Sequence, residues 1–199
     1  IAKEYFLFGR NAFKRKDYQG AIRWFHFLTE QGNASARYNL GSSFANGLGN
    51  PQDDNEAVRT WRLAAEQGNS AALGLLGAMY FHGQGVQLDN EEAIKWFRLS
   101  AKQGVGGSNY NLGVMYEQGR GVQQDYKEAV RLYSLSSDQG FAKSQSTLGS
   151  MYQEGQGVPQ NFQKAHRLFL LSAKQGDVSA KLSLGVMYDR GQGVEQDYV

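Results

Sequence analysis

The residues able to do chemistry in this chain are few and scattered. It has no cysteine, which excludes thiolate catalysis, disulfides and Cys-based zinc sites. The three histidines, His26, His82 and His166, have no Cys, His or carboxylate partner at a recurring metal spacing, so no metal site is expected. Serines are common, but none lies in Gly-x-Ser-x-Gly or an equivalent nucleophile context. Five Gly-x-Gly pairs invite a phosphate-cradle reading: Gly47/Gly49, Gly83/Gly85, Gly119/Gly121, Gly155/Gly157 and Gly191/Gly193. A dinucleotide fingerprint needs a third glycine and a preceding strand. Here the sixth position holds Leu88, Gln124 or Gln160 and a helical pattern precedes. The pairs therefore read as turns, no cofactor is expected, and the chain is expected not to be an enzyme.

Charge and hydropathy exclude two further classes. With 21 basic and 19 acidic residues the net charge is +2, too balanced for a concentrated nucleic-acid-binding patch. The longest apolar run, Ala71 to Phe81, has 11 residues, whereas a membrane helix needs about 20. The chain opens on Ile1 and shows no signal peptide. It reads as a processed or excised chain, with periplasmic, secreted and cytoplasmic locations all open.

The elements that position these residues come from a repeat. Gln-Gly falls at Gln31-Gly32, Gln67-Gly68, Gln103-Gly104, Gln139-Gly140 and Gln175-Gly176, every interval being 36. Gly41, Gly77, Gly113, Gly149 and Gly185 form a second series at that spacing, and the Gly-x-Gly pairs a third. These hold 20 of the 25 glycines. Tandem repetition at such a period implies stacked supersecondary units rather than compact domains.

One unit reads clearly in Asn69 to Gly104. Ala72, Leu76, Met79 and Tyr80 recur at helical spacing and define a helix A. Gly83-Gln-Gly85-Val86 breaks it. Asp89, with Glu92 three residues on, predicts a capping box in which Glu reaches back to the cap. The same pair recurs as Asp53/Glu56 and Asp125/Glu128, while Asn161/Lys164 breaks it and predicts a looser helix start. Ala93, Ile94, Trp96, Phe97 and Ala101 follow as helix B, closed by Gln103-Gly104. Gly77 and its equivalents lie inside helix A, where Gly costs roughly 0.5–1 kcal/mol relative to Ala. A cost repeated in every unit predicts close approach of a helix B there. Gly74, at the phase of Tyr38, is expected to weaken its helix further. Trp24, Trp61 and Trp96 are expected in the core.

The units resemble Sel1-like repeats, relatives of the tetratricopeptide repeat. The match is Ala-x3-Leu-Gly-x2-Tyr in helix A, Gly-x-Gly-Val-x2-Asp in the loop, and Ala-x2-Trp-Phe with terminal Gln-Gly in helix B. Leu112-Gly113-Val114-Met115-Tyr116 and Gly119-Arg120-Gly121-Val122-Gln123-Gln124-Asp125-Tyr126 show it best. The resemblance implies an all-α fold, a right-handed α/α superhelix (solenoid) of about 11 helices. One repeat domain is expected over 1–199, with units 1–32, 33–68, 69–104, 105–140, 141–176 and a partial 177–199. The first unit lacks the Gly-x-Gly loop and is closer to a tetratricopeptide repeat. In the last, Leu184, Met187 and Tyr188 are expected to lose a partner and leave an apolar edge. End-to-end self-association through that edge is one partner mode the pattern allows.

The resemblance also implies a bacterial, non-enzymatic scaffold or adaptor that binds a protein or peptide, in an envelope or secretion setting. Alternatives are an immunity protein against a secreted antibacterial toxin and a peptidoglycan or carbohydrate binder. Specificity is expected where the repeat leaves residues free. At 100° per residue, the face opposite the constrained phases of helix A carries those of Ser35, Tyr38, Ser42 and Ala45. Similar solenoids line their concave surface with helix A. The candidate partner-binding residues are Tyr38, Asn39, Ser42, Asn46, His82, Tyr110, Asn111, Gln118, Glu154 and Arg190. No catalytic or metal-binding residue is expected.

Overall fold

The structure, a computed structural model, describes residues 2–193. Among them are eleven α-helices and no strand. They are α1 (Ala2–Lys14), α2 (Tyr18–Glu30), α3 (Ala34–Asn46), α4 (Asp54–Glu66), α5 (Ser70–His82), α6 (Asn90–Lys102), α7 (Gly106–Gln118), α8 (Tyr126–Asp138), α9 (Ala142–Glu154), α10 (Phe162–Lys174) and α11 (Val178–Arg190). Odd-numbered helices are the A helices of the sequence pattern and even-numbered ones the B helices. The chain divides into two compact units, 1–103 and 104–199.

In the first unit α1/α2, α3/α4 and α5/α6 form hairpins, with α2 against α3 and α4 against α5. One core gathers Phe25, Leu28, Ala36 and Leu40; the other gathers Trp61, Leu73, Leu76 and Met79. In the second unit α7/α8 and α9/α10 pair, α8 packs on α9 and α10 on α11. Its cores centre on Tyr133, Leu148 and Met151 and on Phe169, Ala180, Leu184 and Met187. Trp61 is core, as expected, and Trp96 packs partly buried beside it. Trp24 instead joins an aromatic group at the start of the chain, stacked on Tyr5 at 5.2 Å.

The mid-helix glycines have the reason their repetition predicts. A Cβ on Gly77 would lie 2.5 Å from the Phe97 ring, on Gly113 2.6 Å from Tyr133, on Gly41 2.7 Å from Trp61 and on Gly149 2.8 Å from Phe169. The ring always comes from the B helix of the same hairpin. Helix A gives up a side chain so that a large aromatic can pack directly against its backbone. At Gly185 nothing lies within 4 Å.

The loop glycines divide two tasks. Gly83 caps α5 in the left-handed conformation (φ 67°), its N–H donating to the Met79 carbonyl. The second glycine of the pair meets the neighbouring repeat. A Cβ on Gly85 would lie 2.3 Å from the Asp54 carbonyl oxygen, and one on Gly157 2.6 Å from that of Tyr126. Both are backbone atoms at the start of the preceding B helix.

Three expectations need correction. The capping box is only half formed. Asp53, Asp89 and Asp125 each accept from the N–H three residues on, at 3.0 Å. The glutamates do not reach back; each pairs with a cation one turn further along its own helix. Nor does α10 start more loosely. Asn161 Oδ1 accepts from the Lys164 N–H at 2.8 Å, because an Asn amide oxygen caps as well as a carboxylate. Finally, Leu184 and Met187 do not form an exposed edge. They are 9% and 0% exposed, packed with Phe169, because this phase of an A helix faces the preceding B helix as well as its own. The exposed apolar residues of α11 are Val178, Leu182 and Val186.

Candidate functional site

The free face of the A helices is set by what the other faces must do. One face takes the aromatic ring of helix B and the next packs on the previous hairpin. What remains is the stripe through the phases of Ser35, Tyr38, Asn39, Ser42 and Asn46.

In the first unit that stripe is polar and held close to its helix. Asn39 Nδ2 donates to the Ser35 carbonyl and Asn46 Nδ2 to that of Ser42, both at 2.7 Å. Ser42 Oγ donates to the Tyr38 carbonyl at 3.0 Å. The amide oxygens of both asparagines stay available as acceptors. Tyr38 is half-buried against the Trp61 core, and its carbonyl also accepts from Trp61 Nε1 at 3.1 Å. His82 is exposed at the end of α5, edge-on to Phe81 at 4.9 Å.

In the second unit the same stripe opens into a groove of about 330 Å³ between A helices. Tyr110 from α7 forms one wall; Lys143, Ser146, Thr147 and Ser150 from α9 and Ser179 and Ser183 from α11 line the groove with Phe169 from α10. Asp177 sits at one end, already used: Oδ1 caps α11 through the Ala180 N–H at 2.8 Å, and Oδ2 accepts from Ser146 Oγ at 3.3 Å. Among the described residues Thr147, Ser179 and Ser183 have no hydrogen-bond partner for their hydroxyls, and Lys143 has no ion pair. Tyr110 is half-buried, its ring 5.6 Å from Tyr133 and 5.4 Å from Phe141. Asn111 is half-buried on α7, and Gln118, Glu154 and Arg190 are exposed at the ends of α7, α9 and α11. None of these four lines the groove.

Of the candidate residues of this unit, then, only Tyr110 is in the groove. Lys143, Thr147, Ser150, Ser179 and Ser183 were not singled out from sequence. Their signal was present: they occupy the phases of Ser35, Asn39 and Ser42, already identified as free. Small hydroxyls carry little weight in a sequence, and only the packed helices show that they line a depression.

One buried polar pair lies beside this face. Tyr133 is fully buried and its hydroxyl donates to Glu117 Oε2 at 2.5 Å. Burial first, and the Glu117 carboxylate second, hold the phenol well above its ordinary value, so it remains a donor. His166 Nε2 lies 3.1 Å from the Tyr188 hydroxyl. No cluster of three or more metal-ligating side chains occurs among the described residues, and no helix there is long and apolar enough to cross a membrane.

Pairs of 13-residue helices, with a glycine of helix A under one aromatic ring of helix B in successive hairpins, define a helical-hairpin repeat protein. The Sel1 repeat model matches at residues 1–33, 34–69, 70–105, 107–141, 142–177 and 178–199, and the chain belongs to the Sel1 repeat family. No curated protein matches at a significant level. Among solved structures, the chain is similar to c5321, a protective antigen of uropathogenic Escherichia coli displaying an SLR fold. The identity is 40% and the TM-score 0.94, over 100% of this chain and 43% of that one. It is also similar to a Sel1 repeat protein from Oxalobacter formigenes, at 30% identity and TM-score 0.87, over 96% of this chain and 79% of that one. The chain thus spans less than half the length of the E. coli antigen. Sel1 repeat proteins are generally protein-interaction scaffolds, and the fold is typically non-catalytic.

Proposed function

We propose that this chain is a non-catalytic scaffold that binds a protein or peptide on the free face of its A helices. The observation that supports the reading is the groove of the second unit. Its free hydroxyls of Thr147, Ser179 and Ser183, the Lys143 ammonium and the wall of Tyr110 lie together where the fold imposes no residue type. Hydroxyls that accept and donate suit a peptide backbone, and an aromatic wall adds contact area at low entropy cost. In the first unit Asn39 and Asn46 offer amide oxygens along the equivalent stripe.

The test is capture from native lysate by the parent and by Thr147→Arg/Ser183→Arg, which fills the groove from two helices. Circular dichroism of both checks that the helices persist. Loss of the captured protein with the fold intact is the expected result. Capture by the filled variant at the parent's level, or binding of purified peptidoglycan with no protein retained, would overturn the reading.

A further inference from the structure

Repeats contain their own controls, and one place in the second unit departs from them twice. Three B helices carry the same ion pair one turn apart: Glu56–Arg59 at 2.7 Å, Glu92–Lys95 at 2.6 Å and Glu128–Arg131 at 2.7 Å. In α10 the corresponding residues are Lys164 and Arg167. An ammonium replaces the carboxylate. Arg167 therefore has no carboxylate partner among the described residues, and Lys164 lies over the Tyr152 ring, 5.0 Å from its centroid.

The second departure is on the facing helix, α8. In the first unit the equivalent B-helix residue covers the aromatic ring of the next A helix. His26 stands edge-on to Phe44 at 6.4 Å. Arg62 lies over Tyr80 at 5.8 Å and donates to its hydroxyl. The same position in α8 is Ser134, whose hydroxyl turns back to the Val130 carbonyl at 2.8 Å. No α8 side chain reaches over the Tyr152 ring, which is met instead by Lys164 from α10, and a groove of about 220 Å³ opens between α8 and α10. Leu148, Tyr152, Leu168 and Leu171 form its floor; Lys164 and Arg167 stand on its rim with Asp138. Leu171 is 46% exposed, as are its repeat equivalents Leu99 and Leu135 at 46% and 41%; what differs here is the pair of cations beside it.

We propose that this groove docks an acidic polypeptide segment anchored by a bulky apolar side chain. The anchor covers Leu148, Leu168 and Leu171, while carboxylates flanking it pair with Lys164 and Arg167. Two cations against one acid leave the rim positive, and Asp138 offers an acceptor to a backbone N–H. A phosphate backbone would use the cations but leave the apolar floor open, so a peptide fits better than a nucleic acid. This groove shares no lining residue with the A-helix groove, so either reading can fail alone.

The probe is a fluorescein-labelled peptide with a Leu-Phe pair flanked on each side by two Glu, read by anisotropy against a counterpart with Lys at those four positions. The acidic peptide is expected to bind the whole chain at least about tenfold tighter, a 1.4 kcal/mol difference. Ser134→Arg and Lys164→Glu restore the residue types of Arg62 and Glu128, so both are compatible with the repeat. Each should weaken binding about tenfold or more, with the helical signal and unfolding midpoint of the parent. Arg167→Gln, confined to the exposed rim, should weaken it without refilling the groove. The proposal is overturned if the restored variants bind like the parent, or if the two peptides bind alike. It is equally overturned if a short DNA duplex or phosphatidylglycerol vesicles displace the probe as well as unlabelled acidic peptide does.

Discussion

Gly77 and Gly185 occupy the same phase of the repeat and differ only in what faces them. Gly77 lies under the Phe97 ring, and Gly185 has nothing within 4 Å. Gly77→Ala is expected to destabilise the fold by about 1–3 kcal/mol, the usual cost of overpacking. Gly185→Ala is expected to stabilise it by about 0.5–1 kcal/mol, since Ala is the better helix former. Urea denaturation of the two variants checks both signs, and a stabilised Gly77→Ala would refute the ring-on-glycine account. Tyr133 makes a second prediction at this scale. In the unfolded chain its phenol ionises near pH 10, while the folded one keeps its proton to higher pH. Its contribution is therefore complete below about pH 10 and is lost as pH rises beyond it. Tyr133→Phe should cost about 0.5–1.5 kcal/mol at neutral pH through the lost Glu117 hydrogen bond. It should also flatten the alkaline fall in the unfolding midpoint relative to the parent.

Most helices carry their own start and stop, α7 and α9 lacking a side-chain cap at Val105 and Phe141, which is why the elements were so legible in the sequence. The Gln-Gly ends, the left-handed Gly after helix A and the Asp or Asn before helix B all rest on local backbone chemistry, which a sequence states directly. What local chemistry does not determine was misread. Glu92 does not reach back because the Asp89 N–H it would meet already donates to the Tyr80 carbonyl at 3.0 Å, a bond across the loop that the motif alone does not state. Asn161 illustrates the same limit, since a break in the motif is not a break in the hydrogen bond. Asn161→Ala is expected to cost about 1 kcal/mol and Asn161→Asp almost nothing, measured by thermal unfolding. Glu92→Gln should leave the thermal unfolding midpoint nearly unchanged, because its pair with Lys95 is exposed. The binding surfaces were harder to read. Tyr110 shares the free phase of Tyr38, yet its ring also packs on Tyr133 and Phe141. Tyr110→Ala would therefore mix lost packing with lost binding. The hydroxyls beside it only gain meaning once helices set them around one depression.

At the scale of the whole molecule the fold and its surfaces respond to different variables. The cores are apolar and aromatic, and the ion pairs on the B helices are exposed single pairs that add little to stability. Raising salt from about 0.05 M to about 0.5 M should leave the unfolding midpoint nearly unchanged, since screening removes little from such a fold. Acidic-peptide binding between α8 and α10 should weaken over the same range, and a salt-independent affinity would speak for an apolar contact alone. Repeat architecture also explains the unbroken count of 36 residues. Surface loops ordinarily accept extra residues, but Gly85 and Gly157 rest on the backbone of the preceding hairpin. One added residue before either would push a side chain into that contact. Change along this chain is thereby channelled into substitution rather than length. A lineage of such proteins can diversify what it binds while every descendant keeps the same ruler.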